Sequence, residues 1–142
     1  MYTFIKEAHS GIAYILILPL IFIVLFAAYS YFTKQAFTDR HKKFALVGLI
    51  ITHLQILLGL ILYFISPLGL ANFSGESMKS APMRLMILEH PLMMILAAVL
   101  VTIGYSKAKR LIVDNSRHRA VLIYYGIALI FILSRIPWSV WP

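Results

Sequence analysis

The run GIAYILILPLIFIVLFAAYSYF, Gly11 to Phe32, holds 22 residues and not one charge. An α-helix rises ~1.5 Å per residue, so such a run crosses a hydrocarbon core of ~30 Å. Phe44 to Ser66 repeats the pattern over 23 uncharged residues. The whole chain agrees, with 61% hydrophobic and only 13% charged residues in 142; soluble domains carry about a quarter charged residues. The chain therefore reads as an all-α integral membrane protein, a single transmembrane domain over residues 1–142.

Two further spans follow, and both need polar residues to reach full length. Pro91 to Ser106 is uncharged over 16 residues, too few to cross, so the third helix must extend back through Glu89 and His90 to about Leu85. Ala120 to Ser134 gives only 15, so the fourth must run on through Arg135 to about Trp138. The expected helices are 10–32, 44–66, 85–106 and 118–138. Lys6 and Glu7 precede the first, and no small-residue cleavage site closes its apolar stretch, which marks a retained helix rather than a signal peptide.

The charges set the orientation. Lys34, Arg40, Lys42 and Lys43 lie in the first connection, and Lys107, Lys109, Arg110, Arg117 and Arg119 in the third, 9 of 13 basic residues on one side. That side is expected to be cytoplasmic, with both termini and the loop 67–84 outside. The net charge of +8 is then a topology signal, and no nucleic-acid partner is expected. Short connections favour an up-down-up-down four-helix bundle. The absence of cysteine excludes disulfides, thiolate metal sites and haem attached through Cys.

Ionisable residues at membrane depth are costly and mark function by default. Counted from the basic side, Glu89, His90 and Arg135 all come out ~24 Å up, near the outer edge of the core. Glu89 and Arg135 either pair between helices or each reach to the headgroups. His41 and His118, among basic residues at helix ends, are expected to be solvated. His9 and His90 each open a helix on the outer side. In an up-down bundle these helices are diagonal, and two such imidazoles can hold a haem iron from opposite sides. A depth count separates them by ~10 Å, and two interfacial histidines capping helix starts are the alternative. His53 sits mid-membrane, well over ~100° around the second helix from the stripe Gly48, Thr52, Gln55 and Gly59. That stripe suits a helix contact, so His53 should point sideways, to a neighbour or a partner subunit, with a role as alternative metal ligand left open. His90 shares its face with Met94, Ala97, Val101 and Gly104, which leaves room for a cofactor or a close helix.

The stretches His9–Ser10–Gly11, Thr52 to Gly59 (THLQILLG) and Glu89–His90–Pro91 resemble the short four-helix bacterial membrane proteins labelled "cytochrome B" over nearly the whole chain. A more distant resemblance is to one half of haem A synthase, where four helices hold haem between histidines at the outer ends of the first and third. That resemblance implies His9 and His90 as axial ligands and places Gln55 and Gly59 in the family's Gln-x-x-x-Gly pattern. The chain departs from it: the second half is missing, and Glu7 stands two residues before His9 rather than three. Haem b in the bacterial inner membrane is thus expected, with electron transfer as a small subunit or partner of a respiratory or quinone-linked system rather than stand-alone catalysis. The rival is a cofactor-free structural or assembly subunit of a larger membrane complex. A small transporter, with Pro19 and Pro91 as its only candidate breaks, ranks last.

Overall fold

A computed structural model describes residues 1–142 and contains helices and turns but no strand. Four helices are long and apolar enough to cross a membrane: α1 (Tyr2–Phe32), α2 (Asp39–Ile65), α3 (Ala81–Arg110) and α4 (Asp114–Ser134). They form a four-helix bundle in which α1 packs on α2 and α4, and α3 on the same two. The first and third helices are therefore diagonal, as the haem reading requires.

The core follows helical spacing. Leu16, Leu20, Ile23, Ala27 and Ser30 are the buried face of α1 and recur every three or four residues. The stripe Gly48, Thr52 and Gln55 of α2 is buried, and so are Ala97, Val101 and Gly104 of α3. The small residues serve close helix approach: a Cβ on Gly104 would stand 2.6 Å from Tyr124 Cβ, and one on Gly48 2.9 Å from Ile23. Tyr125 is fully buried, and its hydroxyl donates to the Ala45 carbonyl at 2.6 Å. The outward faces carry exposed Leu18, Leu25, Ile50, Leu57 and Ile130, the surface that hydrocarbon solvates.

Three helix boundaries differ from expectation in ways that shape the site. α1 starts at Tyr2, so His9 lies two turns inside the helix rather than at its mouth. α3 starts at Ala81 and contains a π turn, Leu85–Glu89, just before Pro91. Pro91 has no N–H, which frees the Ile87 carbonyl four residues back, and the Tyr63 hydroxyl of α2 donates to it at 2.9 Å. α4 ends at Ser134, not near Trp138, because Pro137 disfavours helix at the residue before it. Side chains take up the carbonyls left at this end: Trp138 Nε1 donates to Leu133 and His90 Nδ1 to Arg135.

A candidate cofactor site between His9 and His90

α1 and α3 bring His9 and His90 to the same level, at the end of the bundle where the segment after α4 folds back on α1. Their ring centroids are 6.3 Å apart and their planes stand at 89°. The ~10 Å offset from counting shrinks because α3 runs on to Arg110, past its expected end at 106, which sets His90 20 residues above the basic end against 23 for His9. Around them opens a partly open cavity of about 180 Å³, lined among others by Lys6, Gln55, Gly59, Tyr63, Met94 and Trp141.

Each ring is held differently. His90 Nδ1 donates to the Arg135 carbonyl at 2.8 Å, which fixes the proton on Nδ1 and leaves the Nε2 lone pair free. His9 is pinned through its backbone: Gln55 Nε2 donates to its carbonyl at 2.8 Å, and Trp141 Nε1 donates to the Ser10 carbonyl at 3.2 Å. A Cβ on Gly59 would come within 3.0 Å of His9 Cε1, so glycine there lets the imidazole lie against α2. His9 Nδ1 and Gln55 Oε1 are buried with no hydrogen-bond partner. Unpaired buried polar atoms cost free energy, and here both belong to neighbouring residues that line one cavity.

Glu89, next to His90, binds two arginines. Its carboxylate lies 3.5 Å from Arg135 Nε, the pairing that is one of the two alternatives for these residues, and 2.8 Å from Arg84 Nε. Arg84 also donates to the Met78 carbonyl at 3.0 Å, tying the loop 66–80 to the site. Residues five apart point about 140° apart on an α-helix, and the π turn brings them onto one face. Sequence spacing therefore hides Arg84. Tyr63 was missed as well, although it continues the stripe Gln55, Gly59 at helical spacing.

His53 does not join this site. It is exposed on the outward face between α2 and α3, where Nδ1 donates to the Leu49 carbonyl at 2.8 Å and Nε2 lies 3.2 Å from Thr102 Oγ1. The expectation for His41 and His118 is corrected, for both are buried, at 8% and 1% exposure. Their rings meet at 4.6 Å, Phe26 stacks on His41 at 4.6 Å, and Arg117 lies over Phe37 at 4.0 Å. His41 Nδ1 accepts from the Thr38 N–H at 3.1 Å, its Nε2 bonds Ser30 Oγ at 3.0 Å, and His118 Nε2 donates to the Gln35 carbonyl at 3.0 Å. Aromatic neighbours and the tight turn after α1 shield them from water.

Two imidazoles, one with its tautomer fixed and one with an unpartnered nitrogen, form a donor set for a transition metal. Imidazole–metal bonds are about 2 Å, and two of them plus the reach from each ring centre to its nitrogen total roughly 6 Å. The observed centroid separation of 6.3 Å is close to that total. The cavity is partly open, so a group larger than about 180 Å³ would extend beyond it. Compared with known proteins, the chain matches no family model, no curated protein and no solved structure.

Proposed function

We propose that this chain is a b-type haem protein of the bacterial inner membrane. Its four helices run up-down-up-down, with the basic connections in the cytoplasm and both termini outside. His9 and His90 are the axial ligands, and the chain passes electrons as a small subunit or partner of a respiratory or quinone-linked system. The observation that carries this reading is the paired rings at 6.3 Å beside a cavity, with His9 Nδ1 left without a partner. Haem held between two imidazoles supplies one-electron transfer at iron with no position open to a substrate. The chain's own residues do the rest. Arg135 orients His90 through its carbonyl, Gln55 and Gly59 seat His9, and Lys6 offers a cation at the cavity wall for an acidic group on the bound molecule.

Purified protein from haem-replete cells should show a reduced-minus-oxidised b-type α-band. His9→Ala and His90→Ala should each abolish it or convert it to a high-spin spectrum. A colourless preparation, or a band indifferent to both substitutions, overturns the assignment. A cofactor-free structural or assembly subunit is the second reading. It is favoured by one observation, that 6.3 Å also falls in the range of direct aromatic contact. Under that reading the protein is colourless and both alanine variants only alter stability.

A further inference from the structure

His53 is an imidazole in the middle of a membrane-length helix, facing outward where hydrocarbon is the solvent. Such a group is costly unless its polar atoms are matched. Counting protons shows that they are not. The Leu49 carbonyl can only accept, so His53 Nδ1 carries the proton and Nε2 of the neutral ring presents a lone pair. The single hydroxyl proton of Thr102 faces two acceptors, that Nε2 at 3.2 Å and the Ala98 carbonyl at 2.8 Å. Two acceptors share one donor, and the shorter contact is to the carbonyl. The His53–Thr102 pair is short of one O–H.

The pair lies in a groove of about 230 Å³ between α2 and α3, walled by Ile56, Ile95, Ala98 and Val99. Ala98 gives the groove its depth, and the aliphatic walls suit a flat ring. Ile56 and Ile95 also line the cavity at His9 and His90, so one layer of side chains separates the two spaces. A ligand for this groove must be soluble in the bilayer, planar at its head and able to donate an O–H at mid-depth. We infer that the groove between His53 and Thr102 binds the head group of a membrane quinol, with a quinol hydroxyl donating to His53 Nε2. The site stands on its own residues, whether or not His9 and His90 hold haem. If they do, it sets a two-electron donor beside a one-electron centre.

The full-length protein in liposomes is to be labelled with a quinol carrying a diazirine on its isoprenoid tail, and the adducts mapped by mass spectrometry. Label should concentrate on peptides containing Leu49–Ile56 and Ile95–Ile103. It should be competed by unlabelled quinol but not by an isoprenoid alcohol of the same tail. His53→Phe should cut labelling by roughly five- to tenfold, the effect of one hydrogen bond in a dry site, whereas Thr102→Val removes only the hydroxyl that competes for His53 Nε2 and should not lower it. Several outcomes overturn the proposal. They are labelling spread evenly over the outward helix faces, competition by the alcohol as strong as by the quinol, indifference to His53→Phe, or adducts replaced by cross-linked dimers of the chain. An optical spectrum of each variant separates the two readings. Lost labelling with intact haem bands concerns the groove alone, and mapped labelling on a colourless protein removes the haem reading while leaving the quinol site.

Discussion

Near the start of α2, His41 and His118 meet with ring centroids 4.6 Å apart; near its other end, His9 and His90 stand 6.3 Å apart. The first pair is packed among Phe26 and Phe37, and both His41 nitrogens and His118 Nε2 are in hydrogen bonds. The second pair borders a cavity, and His9 Nδ1 has no partner. Same residue type, same bundle, different surroundings: one pair is packed and hydrogen-bonded, and the other lines a cavity. Burial and the nitrogen inventory distinguish them alike: His41 and His118 are buried, whereas His9 and His90 are half-buried.

The comparison makes its largest prediction at the filled end. His118→Ala removes a fully buried ring, leaves the Gln35 carbonyl without its donor and opens a void beside His41. It should destabilise the protein by about 2–4 kcal/mol, read as a lower midpoint in thermal or detergent unfolding. The haem-to-protein ratio of what remains folded should not change. Loss of haem at unchanged stability would reverse the roles of the two ends.

Gly59→Ala tests the open end without touching a ligand. The new Cβ would sit 3.0 Å from His9 Cε1, so the imidazole must shift by a few tenths of an ångström. Axial bonds tolerate little displacement, and haem retention during purification should fall by roughly tenfold, about 1.4 kcal/mol. Wild-type retention would show that His9 is free to move and is not a ligand. Tyr63→Phe is milder. It orphans the Ile87 carbonyl next to the π turn and should cost about 1 kcal/mol in the same unfolding assay, with the haem band in place.

Much of this was legible in the residues. Uncharged runs located two helices, though not their first residues, and the shortness of the other two runs pointed to Glu89 and His90 within the third helix and to Arg135, which lies just past the end of the fourth. Helical phase placed Gly48, Thr52 and Gln55 inside and His53 outside. What escaped has identifiable causes. Helix ends are set by single residues, and Pro137 stops α4 where hydrophobicity alone carries it to Trp138. The π turn changes the phase between Arg84 and Glu89, so an i, i+5 contact lay outside any 3.6-residue pattern. His41 and His118 looked solvated because their sequence neighbours are basic. Their burial depends on Phe26, Phe37 and the left-handed Lys34 that folds the chain back, all distant in sequence from at least one of the pair.

The smallest expected effect is at Glu89. Its two arginines are themselves well exposed, at 38% and 45%, so each ion pair contributes little to stability. Glu89→Gln should therefore move the unfolding midpoint by less than about 1 kcal/mol. Its consequence for the site runs through Arg135. That residue meets Glu89 with its guanidinium and accepts from His90 Nδ1 with its carbonyl, so releasing the side chain loosens the backbone that sets the imidazole. Losing a negative charge beside the ring also makes the oxidised, more positive iron less favourable. The haem midpoint potential should rise, and the band should keep its position and intensity. An unchanged potential would mean that the carboxylate serves only to tie the loop 66–80 to α3. A lost band would mean that Glu89 positions His90 directly, and the open end would then depend on charge as the filled end depends on packing.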